Sequence, residues 1–254
     1  MLPHYSPLKV AETFSMLSAL YPGRIDLGLG RAAGTSAGIA YALQRDRRQP
    51  APDDFPDQLE ELLAYLENRG PVTGPFRQTA AMHFDSPEPW LLGSSAQSGI
   101  WAAELGLPYV FADFINPNGE AIAAYYREHF EPSARLQQPR AGVAIWAICA
   151  DTDAEAQRLA SSMRMMMLML FRGQLIPVPP VEKAQAFLAQ EGVAEETLPV
   201  GRRIIVGSPA RVRSMIEEVA ADYGAEEVFL INIMHDHAAR KRSYELIARA
   251  FGLP

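Results

Sequence analysis

Short apolar runs alternate with segments of helical periodicity along the chain, and this alternation restricts the fold more than any other sequence feature. A strand-helix-strand order favours a parallel sheet, with ligand sites at the carboxyl ends of its strands. The residues alone leave open whether such a sheet is doubly wound or closed into a (β/α)8 barrel. The apolar runs predict five core strands, at residues 24–30, 89–93, 107–114, 142–150 and 227–233.

Capping residues and prolines mark the helix boundaries between these strands. Ser6, followed by proline, predicts a helix that runs to Leu20, and Asn116, also followed by proline, predicts another helix start. Thr152 and Glu155 have the spacing of a capping box, which begins a helix of about twenty residues. Further helices are predicted at residues 57–68, 95–105, 184–190, 208–223 and 236–251.

The predicted units are joined into one domain over residues 1–254, with a long pocket loop at 31–56 and a connector at 173–207. A complete (β/α)8 barrel takes about 250 residues. Five β/α units with long insertions already fill the 254 residues of this chain. A barrel interpretation therefore predicts that three of the eight units are absent.

Composition excludes several classes of protein. The formal charge is −7 and the basic residues are scattered, so nucleic acid is not expected as a partner. The single cysteine, Cys149, rules out an intramolecular disulfide and a zinc site of four cysteines. The longest apolar stretch, at 141–150, is far short of the roughly 20 residues that span a bilayer. We expect a cytoplasmic protein without a membrane segment.

Glycines follow the first predicted strand, at Gly28, Gly30 and Gly34. Their spacing is not that of a dinucleotide-binding turn, and no amphipathic helix begins at the third glycine. The simplest interpretation is a buried strand whose glycines turn the chain. A second interpretation is that the glycines let a flat ligand approach the backbone while Arg31 meets an anion.

The second strand leads into a helix through Gly93, Ser94 and Ser95, with Ser98 one turn later. Free N–H groups at a helix start, the helix dipole and three hydroxyls are suited to phosphate. Ser95 as a simple N-cap is the alternative. In a parallel sheet Arg31 would lie at the same edge, which favours the phosphate interpretation.

His235-Asp236-His237, just past the last strand, allows a metal or acid/base cluster, but no further metal ligand is evident. The favoured interpretation is that Asp236 caps the final helix, and no metal site is expected. His4, beside Tyr5, is a second candidate for a pocket-lining acid or base. Five methionines share one helix, at positions 163, 165, 166, 167 and 169, and predict adaptable packing against the core or a partner subunit. An aliphatic substrate surface is the less favoured alternative.

Five segments in order resemble the bacterial luciferase-like flavin monooxygenases, at residues 2–12, 21–31, 90–95, 105–111 and 236–245. The resemblance runs the length of the chain and implies a (β/α)8 barrel that binds reduced FMN or, in some branches, the deazaflavin F420. It assigns the cofactor phosphate to the turn formed by Gly93, Ser94, Ser95 and Ser98, and to an arginine that matches Arg31. Gly30 completes the predicted cofactor-binding set.

The same resemblance implies that the sequence starts where the third family strand ends, with the last five β/α units present and the first three absent. The family's histidine after the second strand has no counterpart here, so the catalytic residues are unassigned, and His4 and His237 are the candidates. A further implication is an exposed sheet edge, which together with the helix at 6–20 predicts a homodimer.

The function expected from the resemblance is oxygenation of a small organic substrate by O2 and reduced FMN, the latter supplied by a partner flavin reductase. Two alternatives remain open. One is an F420-dependent dehydrogenase. The other is a noncatalytic, truncated flavin-binding homologue. The substrate is not specified by these residues.

Overall fold

The computed structural model describes residues 1–31, 37–43, 48, 54–67, 86–193 and 204–253, and the structural statements below concern those residues. Two compact units are distinguished by their internal contacts. Unit 1 comprises Met1–Gly93, Gln97–Tyr109 and His129–Pro139; unit 2 comprises Ser94–Ala96, Val110–Glu128 and Arg140–Pro254. Each unit is described by itself.

Strands and helices alternate along the described chain. The strands are β1 (Asp26–Leu29), β2 (Glu88–Gly93), β3 (Tyr109–Ala112), β4 (Ala141–Cys149), β5 (Ile205–Gly207) and β6 (Glu227–Ile231). The helices are α1 (Pro7–Leu20), α2 (Ala37–Leu43), α3 (Phe55–Leu66), α4 (Ala96–Glu104), α5 (Glu120–Glu128), α6 (Asp153–Phe171), α7 (Val181–Gln190), α8 (Pro209–Tyr223) and α9 (His237–Ala250), with a short 3-10 helix at Leu2–His4.

In unit 1, β1 and β2 pair in parallel, with Asp26 opposite Glu88 and Leu29 opposite Leu91. Helix α1 packs on α3, and α3 also contacts the 3-10 helix. Helix α3 is almost fully buried on its apolar face because leucines recur at helical spacing, at Leu59, Leu62, Leu63 and Leu66.

In unit 2, β4 is buried along all nine residues, as expected for a central strand of a parallel sheet. It pairs in parallel with β6 through residues 142–146 and with β5 through residues 147–149. The methionine-rich α6 has two packing faces. Met163 and Met167 join the core around β4, whereas Met165 packs with α7, so the prediction of core packing for this cluster is confirmed.

A buried polar network follows β3 in unit 2. The Tyr223 hydroxyl donates to Asp113 Oδ1 at 2.9 Å and accepts from the Gly119 N–H at 3.1 Å. A Cβ at Gly119 would lie 2.0 Å from the Phe111 ring, so glycine is required there. Burial and the neighbouring Asp113 carboxylate raise the pKa of Tyr223. The network fixes the chain between β3 and α5.

The mixed α/β class and the parallel pairing of strands are confirmed, and so are all five predicted strands. The number of barrel units absent stays a prediction. The division into one domain with a pocket loop and a connector stays a prediction. Helix α2 lies inside the predicted loop at 31–56, and the predicted connector at 173–207 ends in the strand β5. Three residues are too few to show a periodic pattern, and β5 is defined by its pairing with β4.

The helix predicted to open at Asn116 begins later, at Glu120. The backbone N–H of Asn116 donates to Ala112 O at 3.2 Å, and its side chain is bonded elsewhere, so a turn precedes the helix. Among the helices that the structure describes, none is long and apolar enough to cross a membrane.

Candidate functional site

The carboxyl end of β1 lies against the start of the chain. The Leu2 N–H donates to Gly30 O at 3.2 Å, directly after the strand. This bond brings the half-buried His4, in the 3-10 helix, to the carboxyl side of β1. A Cβ at Gly30 would lie 3.4 Å from Leu92 O, an ordinary contact distance. The structure thus brings two predicted site residues, His4 and Gly30, to one strand end.

Arg31 follows Gly30 and is exposed. Its guanidinium carbon lies 5.7 Å from the ring centroid of Trp101, on α4. A cation at this distance from an indole face is attracted by the ring quadrupole. Trp101 also packs on Phe55, with 5.3 Å between ring centroids. The sequence offered no signal for this stack, since Arg31 and Trp101 belong to separate predicted elements.

Strand β2 ends at Gly93, and α4 begins three residues later, after Ser94 and Ser95. A Cβ at Gly93 would lie 2.2 Å from Ser98 Oγ and 2.3 Å from Ser98 Cβ. Such distances are far inside van der Waals contact, so only glycine allows Ser98 to pack here. The turn is therefore built around close approach of the helix to the strand end.

The Ser98 side chain is buried, and its hydroxyl lies 2.9 Å from the Tyr109 hydroxyl on β3. Burial raises the pKa of Tyr109 to about 12. At neutral pH the phenol is therefore protonated and forms a neutral hydrogen bond with the serine. The structure gives Ser98 a partner within the protein in addition to the ligand role predicted from the sequence.

Ser95 is exposed at the position directly before α4, and Ser94 is half-buried. The Ser94 carbonyl accepts a hydrogen bond from Asn116 Nδ2 at 3.1 Å, and Asn116 Oδ1 accepts one from the Asn118 N–H at 3.4 Å. Asn116 therefore holds the backbone of the turn. Sequence reasoning assigned this residue to a helix start and missed its contact with Ser94.

The histidine cluster after β6 is built differently. Asp236 Oδ1 accepts from the Ala239 N–H at 2.7 Å, which confirms the predicted N-cap of α9. His237 is the exposed first residue of that helix, and His235 Nδ1 lies 2.9 Å from Val178 O. Across the described ranges, no group of three or more His, Cys, Asp or Glu side chains is placed to hold a metal ion.

Comparison with known proteins identifies the family. The family model for luciferase-like monooxygenase matches residues 1–227. The chain belongs to this family. Among its relatives, a luciferase-like monooxygenase of Escherichia coli K12 is 38% identical, over 97% of this chain and 73% of its own length. An N-acetyl-S-alkylcysteine monooxygenase of Bacillus subtilis is 31% identical, over 98% of this chain and 75% of its own length.

A solved structure, apo-MsnO8, covers all of this chain and 76% of its own, with 40% identity and a TM-score of 0.88. More distant structures share the fold. The oxygenating constituent of 3,6-diketocamphane monooxygenase from Pseudomonas putida, solved with FMN, has a TM-score of 0.63 at 21% identity, over 100% of this chain and 77% of its own. These matches confirm the predicted family and its fold type.

Proposed function

We propose that the protein is a flavin-dependent monooxygenase that uses reduced FMN and O2 to oxygenate a small organic substrate. Membership of the luciferase-like monooxygenase family supports the reaction class. The observation that supports a phosphate-bearing cofactor is the turn from Gly93 into α4, where the absence of a side chain on Gly93 lets the helix start close to the strand end.

The residues of this turn suit the phosphate of FMN. The first N–H groups of a helix lack partners within the helix and point along its positive dipole end, so they attract anions. Gly93 has no side chain, and Ser95 and Ala96 are small and exposed. The guanidinium of Arg31 would add a charge-assisted bond. In this proposal the turn orients the phosphate, and Ser94 and Ser98 complete the set assigned by the family resemblance.

Bound reduced FMN would supply two electrons to O2, so that one oxygen atom enters the substrate and the other leaves as water. The protein binds the cofactor, orients it and limits the access of water to it. His4 Nε2 or Nδ1 is the better-placed candidate to hold a proton, because His4 lies at the carboxyl end of β1. His237 is exposed at the start of α9 and is the second candidate.

We propose that the protein forms a homodimer and receives reduced FMN from a separate flavin reductase. Met16 and Leu20 on α1 are 47% and 70% exposed, which supports a contact of α1 with a second copy. Light scattering should then give about twice the 28.0 kDa mass of one chain, and a monomer would contradict the dimer.

Turnover with labelled oxygen tests the reaction. The purified chain is supplied with FMN, NADH, a flavin reductase and 18O2, together with a panel of aldehydes and thioethers that includes an N-acetyl-S-alkylcysteine. We expect one 18O atom in a product. Arg31→Ala should lower turnover at least about tenfold at limiting FMN, because a charge-assisted bond contributes roughly 1.5–3 kcal/mol.

Two other outcomes identify the alternatives. Retained FMN with no labelled product from any panel member would contradict the monooxygenase and favour a noncatalytic flavin-binding protein. F420 carries more negative charge than FMN. Tighter binding of F420 than of FMN in a parallel titration would favour the F420-dependent dehydrogenase.

A further inference from the structure

One aromatic side chain of α4 contacts the cation that the proposed function needs. We infer that Trp101 is a positioning residue for Arg31: its indole holds the guanidinium at the carboxyl end of β1, ready for the anionic group of the cofactor. This inference rests on the proposed function, because it assigns Arg31 to the cofactor phosphate. Arg31 and Trp101 both belong to unit 1.

The geometry is that of a cation over an aromatic face. The Arg31 guanidinium carbon lies 5.7 Å from the Trp101 ring centroid, within the range of about 6 Å for favourable contacts. An exposed arginine otherwise samples many rotamers, and ordering them on ligand binding opposes affinity. The indole restricts this freedom before the ligand arrives.

Trp101 also packs on a second aromatic ring. Its ring lies 5.3 Å from that of Phe55, at an interplanar angle of 41°. Phe55 is the first residue of α3 and is only 1% exposed. The half-buried indole therefore rests on a buried ring and offers a fixed surface to Arg31.

A guanidinium can contact an indole and a phosphate at the same time. A guanidinium that stacks on an indole uses its flat face for that contact, and its N–H groups lie in the guanidinium plane. Two of these N–H groups in parallel match two oxygens of a phosphate. A tryptophan at position 101 thus orients the guanidinium without competing for the edge that binds the anion.

The test separates phosphate binding from ring binding with FMN and riboflavin, which differ only by the phosphate. Dissociation constants for both ligands are measured by flavin fluorescence for the wild type, Trp101→Leu, Trp101→Phe, Arg31→Ala and the Arg31→Ala/Trp101→Leu double variant. Trp146→Phe is the matched control, since Trp146 packs on Phe114 in the core of unit 2. Thermal unfolding confirms that each variant is folded.

We expect Trp101→Leu to weaken FMN binding about fivefold, or about 1 kcal/mol, while riboflavin binding stays within about twofold. Trp101→Phe retains an aromatic face and should stay within about twofold of the wild type for both ligands. In the Arg31→Ala background Trp101→Leu should add nothing, because the side chain that it positions is gone. Trp146→Phe should leave the ratio of the two constants unchanged.

Four results would overturn the inference. Equal weakening of FMN and riboflavin by Trp101→Leu would mean a structural role, and so would additive effects of the two substitutions in the double variant. An FMN-to-riboflavin preference as large in Trp101→Leu as in the wild type would remove Trp101 from phosphate binding while leaving the proposed function intact. A wild type that binds the two ligands equally would instead refute the phosphate site of the proposed function, and the inference with it.

Discussion

Two helices, α4 and α9, begin just after strands, and their first turns are built in different ways. At α9 the carboxylate of Asp236 accepts the Ala239 N–H, so a negative charge of the protein already lies at the positive end of the helix. At α4 the preceding residue is the neutral, exposed Ser95, and Gly93 lets Ser98 pack against the strand end. The same secondary structure thus begins with a protein carboxylate at α9, whereas at α4 we propose that it binds the cofactor phosphate.

The charge of the residue before the helix makes the difference. A carboxylate at the N-cap stabilises the helix by bonding its N–H groups and by complementing the dipole, but it repels a phosphate. A serine hydroxyl caps without charge. The acidic N-cap between the two histidines at residues 235–237 therefore indicates a helix start whose N–H groups and dipole are already complemented by a carboxylate of the protein.

The largest effect is expected from filling the space beside Gly93. Gly93→Val places a branched side chain where Ser98 packs, at 2.2–2.3 Å, and should lower the free energy of unfolding by about 2 kcal/mol while weakening FMN binding. Urea unfolding measures the first effect. Gly38→Ala in α2 is the control, since its Cβ meets nothing within 4 Å. Gly93→Val with wild-type stability would show that the close approach is not required.

A substitution that adds a negative charge makes the start of α4 resemble the start of α9. Ser95→Asp keeps a capping oxygen before the helix but adds a carboxylate, so FMN binding should weaken about tenfold while the melting temperature is not lowered. Riboflavin binding and the neutral Ser95→Asn variant should stay close to the wild type. If Ser95→Asp binds FMN as tightly as the wild type, the phosphate does not lie at this helix start.

The converse change removes the carboxylate from α9. Asp236→Ala deletes the acceptor of the Ala239 N–H and should lower the free energy of unfolding by about 1 kcal/mol, with no change in the preference for FMN over riboflavin. Asp236→Ser should recover most of the loss in urea unfolding. An effect of Asp236→Ala on FMN binding alone would contradict the assignment of this helix start to stability.

The smallest effect concerns Tyr109, the partner of Ser98. Because burial raises the pKa of Tyr109 from its ordinary value of 10.0 to about 12, the folded protein keeps this proton to higher pH than the unfolded chain does. The associated stability is complete below pH 10 and is lost as the pH rises towards 12. Tyr109→Phe should lose less stability than the wild type over that alkaline range, as measured by urea unfolding. An identical slope would contradict the burial of this phenol.

Local patterns were sufficient to predict much of the fold. The five longer strands and the caps at Thr152 and Asp236 were predictable because apolar runs and capping residues act on their immediate neighbours. Strand β5 was not, because its three residues are strand only through their pairing with β4. The start of α5 was misplaced because the contact of the Asn116 side chain with Ser94 joins residues far apart in the sequence and depends on the tertiary fold.

The candidate site shows the same limit. The glycines and serines of the β2–α4 turn were evident from the sequence because a glycine and hydroxyl-rich turn between a strand and a helix is a local feature. The direction of the Ser98 hydroxyl depends on Tyr109 in another element, and the stack of Arg31 on Trp101 joins residues far apart in the chain. Neither contact can be predicted from the local pattern of residues.

The ratio of the riboflavin to the FMN dissociation constant of the wild-type chain tests most directly whether the helix start of α4 and Arg31 hold a cofactor phosphate. Fluorescence titration with both flavins at low and high salt gives this ratio. We predict a preference for FMN of at least about tenfold that falls as salt screens the charge of Arg31. Equal affinity for FMN and riboflavin at every salt concentration would contradict the account.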